Sequence, residues 1–360
     1  MVGGGTAALT AATRLALGGV ETVQMFRSGR PANRGESLSP AARFILTDLG
    51  LWDRFLADCH IPCFVNKSAW GDDEVQIYDF LNHPAGHAWH IDRSLFETRL
   101  AERAAEVGVR RINVSHRVSI ERHDRSWLVG LGNHQMTKAD LLIDATGRAG
   151  FVARRFGAKR ILHDSQIALM ASLVGTSNGR GERNTLVEAV EAGWWYSAPM
   201  PGGCLATVFF TDPDIACYSD ATSPAGWAYL MSHARHTSRR VETGGYRLDG
   251  PVRFVAAGSA RLDRFVGDGW LAAGDAALSL DPISSHGMTF ALASGRDAAN
   301  AILALERPGH DALNRYCERL ESACADYLET RDAIYLAERR WPRAAYWGRR
   351  REQRALATLE

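Results

Sequence analysis

The chain has 360 residues, 46% of them hydrophobic and 23% charged, with a formal net charge of +1. That length accommodates two intertwined domains, or one large one, with a sizeable core, and the near-zero charge excludes bulk attraction to nucleic acid or to a membrane surface. No apolar run approaches the roughly 20 residues of a membrane span, so neither nucleic acid nor membrane is an expected partner.

Only Met1 and Val2 precede Gly3-Gly4-Gly5. An ordinary first strand takes about five residues, so further residues before Met1 are expected. Residues 3–19 read as a glycine turn followed by a helix rich in Ala and Leu, and Thr22–Phe26 as a strand. The spacing of Ala42, Ile45, Leu46, Leu49 and Phe55 predicts one helix over 38–59. Segment 60–90 mixes aromatics, Gly and Asp and reads as short strands joined by loops. Asp92–Val107 is an amphipathic helix with Leu95, Leu100, Ala104 and Val107 on one face. Val114–Gly130 alternates like a strand, and Asp140–Ala145 is a buried strand ending at Thr146-Gly147. Alternation in Ile167–Val174 and Leu205–Phe210 predicts an antiparallel sheet over 161–258. Strand, turn and helix return over 269–304, a charged helix covers 311–340, and the tail is basic and aromatic. The six cysteines, at 59, 63, 204, 217, 317 and 324, form no CxxC and have no histidine at zinc-finger spacing. Buried free thiols in a reducing cytoplasm, and no metal, are the expectation.

Gly3-Gly4-Gly5-Thr6-Ala7-Ala8 fits GxGxxG/A, with Gly3, Gly5 and Ala8 in the three slots and Thr6 and Ala7 opening the helix. Small residues there let the backbone turn tightly and approach a pyrophosphate, whose charge meets free N–H groups at a helix start. An acidic residue ordinarily ends the following strand and holds the ribose hydroxyls. Phe26 and Arg27 stand there instead, and Arg27 is expected to serve the adenosine end. A second signal lies in Gly274-Asp275-Ala276-Ala277, Asp281-Pro282 and Gly287-Met288. A strand delivers an Asp able to accept from sugar-alcohol hydroxyls. Pro and Gly then start a helix whose N–H groups face an electron-rich carbonyl.

These two motifs, in this order, resemble the FAD-dependent aromatic hydroxylases and halogenases. The resemblance implies an α/β fold: a Rossmann-like FAD-binding domain (1–60, 91–160 and 259–310), an inserted mixed or antiparallel β-sheet substrate domain (61–90 and 161–258), and a C-terminal helical segment (311–360). It implies that Asp275 binds the ribityl chain, that Gly287 and Met288 meet the flavin pyrimidine ring, and that Pro282 is among the cofactor-binding residues. Arg93 matches the arginine beside the flavin phosphate. Glu36 and Ser37, in Gly35-Glu36-Ser37, match the halogenase GEA/GES loop. Asp144-Ala145-Thr146-Gly147 resembles the stretch that closes the FAD domain.

No second GxGxxG marks a nicotinamide domain, which disfavours the disulfide-reductase type; the reductant is expected to be NAD(P)H or a separate flavin reductase. Halogenases carry WxWxIP and a lysine that handles the halogenating species. Here Trp194-Trp195-Tyr196-Ser197-Ala198-Pro199 keeps the frame with Tyr196 and Ala198 substituted, and Lys67 lies in the matching stretch. A narrower resemblance runs through GESLSPAAR, SAWG, WHIDRSLFETRL, DATGRAG, GWWYSAPMPGG, VFFTD and the ERRWP tail. These segments are similar to the flavoprotein monooxygenases of cysteine tryptophylquinone biogenesis, the kind that serve quinohemoprotein amine dehydrogenase and the lysine and glycine oxidases. That resemblance implies hydroxylation of an indole ring, on a tryptophan of a partner polypeptide, through a C4a-hydroperoxyflavin. His286 is then the candidate base, with Trp194, Tyr196 and His90 toward the substrate. The alternatives are a small-molecule tailoring hydroxylase or a flavin-dependent halogenase acting on a small aromatic, with Lys67 catalytic in the latter. A third is a binding module whose tail (Arg339, Arg340, Arg343, Arg349, Arg350, Arg351, Arg354) docks a partner.

Overall fold

The computed structural model describes residues 1–29, 35–114, 118–132, 135–175, 182–215, 221–305 and 311–357, with backbone alone at 35, 131, 132, 135 and 353–357. Two sheets and the helices between them organise these residues.

The first sheet is parallel except for Val266–Gly267, which pairs antiparallel with Trp270–Ala272. Val23–Phe26 pairs with Arg110–Asn113, and Leu142–Asp144 pairs with Trp270–Ala272. Residues 1–3 run between the two pairs: the Val2 N–H donates to the Ile143 carbonyl and the Gly3 N–H to the Met25 carbonyl, both at 2.9 Å. The helix Thr6–Leu17 follows at once. Its Ala-rich surface is buried from Thr6 to Thr13 against the helices Gly287–Leu303 and Arg93–Glu106. Strand–turn–helix with parallel neighbours is the Rossmann arrangement, and it directs ligands to the carboxyl ends of the strands.

The apolar spacing over 38–59 folds as two helices, Ala42–Asp48 and Trp52–Ala57, rather than one. Gly50 takes φ +69° between them, and Leu38 belongs to the strand Gly35–Leu38. That strand forms a small antiparallel sheet with Ala88–Asp92 and Ile61–Cys63.

The large sheet has seven strands, in the order Arg247–Ala256, Ile167–Val174, Cys204–Thr211, Gly193–Met200, Thr185–Val190, Val65–Ala69 and Gln76–Asp79. It is antiparallel except where Thr185–Val190 meets Val65–Ala69. Side chains alternate across it. Trp195 stacks on Phe209 on the face covered by the helices Pro224–Ser232 and Arg235–Thr243, and Trp194 stacks on Phe210 on the other.

That second face is closed by the chain's end. The helix Ala312–Ala337 and the helix Ala345–Ala357 set Tyr335, Tyr346 and Trp347 against it, all buried. Four of the tail's arginines are tied to the fold, whereas Arg339 and Arg343 are exposed. Arg350 is buried against Asp212 at 2.9 Å, Arg349 binds Asp212 and Asp214, Arg340 binds Glu338 and Asp73, and Arg351 donates to the Pro342 carbonyl. The side chain of Arg354 lies outside the described residues. The Tyr335 hydroxyl donates to Asp281 at 2.8 Å, which joins this helical layer to the loop before Gly287–Leu303. Among the described residues five cysteines are free; Cys63 and Cys324 are buried, while Cys59 is exposed, because it sits on a left-handed turn at the surface. Cys217 lies outside the described residues. No described helix is long and apolar enough to cross a membrane.

Candidate functional site

The glycine turn opens the site. Gly3 takes φ +141°, and a β-carbon there would lie 2.1 Å from the Ala145 carbonyl oxygen. Only glycine lets this turn lie on the adjacent strand. Gly5 caps the helix Thr6–Leu17 without a side-chain acceptor, and the first turn carries no acid. The N–H groups and positive pole of the helix are left for an external anion.

The second motif meets the first. Gly274 takes φ +63°, and a β-carbon on it would stand 2.7 Å from the Ala7 Cβ. This close approach brings Asp275 beside the glycine turn, with its carboxylate 3.8 Å from Arg148. Asp281 caps the turn Pro282–Ser284 by accepting the Ile283 N–H at 2.9 Å. The helix Gly287–Leu303 then starts with no side-chain cap, and the space beyond the Gly287 Cα is open.

Both motifs face one cleft of about 1330 Å³. Along its near end lie Phe26, Arg27 and Arg111, the Arg111 guanidinium 4.5 Å from the Phe26 ring centre. In its middle, Arg93 donates to Glu36 at 2.6 Å and to Glu97 at 3.0 Å. Burial pushes the Arg93 guanidinium down, but the two carboxylates outweigh it and hold it above the ordinary arginine range. At its far end the wall becomes the large sheet, through Met170, Tyr196, Val208 and Phe210. The Ser37 Oγ joins these parts, 2.7 Å from the Tyr196 hydroxyl and 3.2 Å from the His90 Nδ1. Burial pushes the Tyr196 phenol up to about 12, so it stays protonated near neutrality. Burial, with a contribution from Arg240, brings His90 down to about 4, so that imidazole is neutral.

Gly3, Gly5, Thr6, Ala7, Glu36, Ser37, Arg93, Asp275, Pro282, Gly287, Met288 and Tyr196 therefore line a single cleft, although they span nearly the whole sequence. Five other candidates do not reach it. Ala8 is fully buried and serves helix packing. Trp194 is 1% exposed, because its strand turns it toward the C-terminal helices, where it donates to the Tyr335 hydroxyl. His90 lies behind Ser37. His286 is exposed, its ring folded onto the Ser284 carbonyl. Lys67 points away on its strand and pairs with Glu182 at 2.7 Å. Sequence reasoning missed Glu97, Arg148, Met170 and Val208. Their signals were present: Glu97 stands four residues after Arg93, Arg148 directly follows Thr146-Gly147, and Met170 and Val208 are inward positions of alternating strands.

FAD fits this donor set. An uncapped helix start beside a glycine turn suits its pyrophosphate, Asp275 its polyol, and the open, uncapped start at Gly287 its electron-rich ring edge. Comparison with known proteins agrees. LodB of Marinomonas mediterranea, named as an FAD-dependent oxidoreductase, is 27% identical over 99% of this chain and 97% of its own length. The flavin-dependent halogenase CmlS superposes with a TM-score of 0.85 at 22% identity, over 99% of this chain and 69% of CmlS. The peptidyl tryptophan dihydroxylase QhpG, essential for tryptophylquinone cofactor biogenesis, superposes at 0.76 and 21% identity, over 97% of this chain and 77% of QhpG. The halogenase likeness is thus at least as strong as the tryptophylquinone likeness. The family model described as tryptophan halogenase matches residues 72–360. The chain belongs to the tryptophan halogenase family and is an FAD-dependent oxidoreductase.

Proposed function

We propose that this chain is a flavin-dependent tailoring enzyme that oxidises an electron-rich small aromatic ring, with halogen transfer as its first reading. The carrying observation is the continuity of the cleft, from the flavin-binding residues Gly287 and Met288 to the apolar sheet residues Met170, Val208 and Phe210. Bound and reduced, by a separate flavin reductase, FAD supplies the activation of dioxygen. The chain's own residues do the rest. The glycine turn, Arg93 and Asp275 fix the cofactor. The apolar wall excludes water and lays the ring flat. Tyr196, held by Ser37, offers its hydroxyl oxygen to a polar substituent of the ring and keeps its own proton. Halogen transfer requires a cation to handle the halogenating species. Of the three lysines in the sequence, at 67, 138 and 159, only Lys67 stands in the large sheet.

A second reading, hydroxylation, is favoured by a specific observation. No lysine is among the described residues lining the cleft, and the Lys67 ammonium is paired with Glu182. The likeness to QhpG, a peptidyl tryptophan dihydroxylase, supports its extension to a tryptophan of a partner polypeptide. The two readings separate by product mass. The chain is incubated with FAD, a flavin reductase, NADH and a panel of indoles and phenols, with and without bromide. Products with the bromine isotope doublet establish halogenation. A gain of one oxygen that ignores halide establishes hydroxylation. No flavin-dependent product from small aromatics, but one from a tryptophan-bearing partner chain, moves the assignment to the polypeptide substrate.

A further inference from the structure

Glu97 occupies an unusual place in the flavin cleft. Its carboxylate accepts from the Arg93 Nε at 3.0 Å and from the Thr6 Oγ1 at 3.4 Å, through the same oxygen. Arg93 and Thr6 are the two side chains that the sequence assigns to the cofactor's anionic centre, and Thr6 is the first residue of a helix that lacks any other acidic or capping group. The contacts that suit a phosphate oxygen therefore already hold a carboxylate oxygen. Glu97 is partly buried, with 19% of its side chain exposed, so solvent does not fully screen it. With Glu36 also paired to Arg93, two carboxylates share this one guanidinium.

We propose that Glu97 is an internal anion that competes with the FAD pyrophosphate for Arg93 and the N-terminal pole of the helix Thr6–Leu17. It lowers the affinity of the chain for FAD and speeds its release. The proposal rests on FAD as the cofactor and is independent of which aromatic substrate is oxidised. The competing role is opposite in sign: a carboxylate that merely orients Arg93 strengthens FAD binding. Glu36 suits that orienting role better, because its 2.6 Å bond reaches the Arg93 Nη1 and leaves the helix pole alone.

The test is FAD titration of the full-length, flavin-stripped chain by flavin fluorescence, with release followed by dilution into a trap. Glu97→Gln, which keeps the shape and removes the charge, is expected to bind FAD about tenfold more tightly, the size of one partly screened charge pair, and to release it correspondingly more slowly. Glu97→Asp keeps the charge but shortens the reach, and is expected to fall between wild type and Glu97→Gln. Glu106→Gln removes an equal charge from the same helix, where Glu106 pairs with Arg54 outside the cleft, and is expected to change affinity less than about twofold. Weaker or unchanged binding in Glu97→Gln overturns the proposal. So does an equal gain in Glu106→Gln, which makes the effect one of bulk charge. If Glu97→Gln does not fold, Glu97→Asp decides: tighter binding than wild type supports competition, and weaker binding overturns it.

Discussion

Gly295 packs directly on Ala7. A β-carbon at 295 would lie 2.4 Å from the Ala7 carbonyl oxygen. The helix that ends the flavin motif thus rests on the backbone of the helix that begins it, and this contact joins the two halves of the cofactor site. Gly295→Ala forces a backbone shift. It is expected to destabilise the fold by about 1–3 kcal/mol and to weaken FAD binding at the same time. Thermal unfolding and FAD titration measure both. Unchanged values in both would separate the helix contact from the site.

Asp275 carries the polyol end of the proposed cofactor pose. Asp275→Ala is expected to raise the FAD Kd by roughly 10- to 100-fold, the cost of losing hydrogen bonds to an ionised acceptor. Its exposure leaves the fold intact, so thermal unfolding of the flavin-free chain should shift little. Fluorescence titration reads the first quantity and calorimetry the second.

Tyr196 and Trp194 differ by two positions in one strand yet make opposite predictions. Tyr196→Phe removes a hydroxyl that faces the cleft. It should leave FAD affinity within about twofold and lower kcat/KM about tenfold, one hydrogen bond to the substrate. Trp194→Ala empties a packed site under the C-terminal helices. That change should cost about 3–5 kcal/mol of stability, and steady-state assays on the protein that remains folded should show near-normal KM.

His90 makes the fold acid-sensitive. Burial lowers its folded-state value from 6.5 to about 4. Between those values the unfolded chain binds a proton that the folded chain does not. Stability is therefore full above pH 6.5 and falls as the pH drops toward 4, by up to about 3 kcal/mol. His60 and His163 are lowered by burial too and add in the same direction. The midpoint of thermal unfolding should decline over this window, and less steeply in His90→Gln. A flat profile in the wild type contradicts the assignment.

Lys67→Ala decides between the two chemistries. If halogen is transferred, the variant keeps FAD binding and loses halogenated product by at least about a hundredfold. If the chain hydroxylates, the variant behaves as wild type, because the only partner lost is the surface carboxylate of Glu182. Mass spectrometry of products in bromide buffer reads the outcome.

The cofactor half of the site was legible because its residues are fixed by backbone geometry. Gly3 and Gly274 sit where a β-carbon would strike a neighbouring segment, and Gly5 and Gly287 stand at helix starts without a side-chain cap; such positions leave motifs. The substrate half was less legible. Tyr196 and Trp194 are two positions apart and share one face of the sheet, and which of them reaches the cleft depends on how far the C-terminal helices, more than a hundred residues later, cover that face. Whether Lys67 faces the cleft depends on strand register, also a long-range property. His286 follows a turn at Ser285, φ +53°, that rotates its ring to solvent, and nothing in the sequence marked that left-handed residue. The basic tail misled for another reason: its acidic partners, Asp212 and Asp73, lie more than a hundred residues away in sequence.

The most direct measurement is a crystal structure of this chain grown with FAD. The account predicts one extended cofactor, its pyrophosphate against Gly3–Ala7, its ribityl chain at Asp275 and its ring edge on the Gly287 and Met288 amides. Flavin density anywhere else, or a ring that fails to reach the Tyr196 end of the cleft, contradicts it.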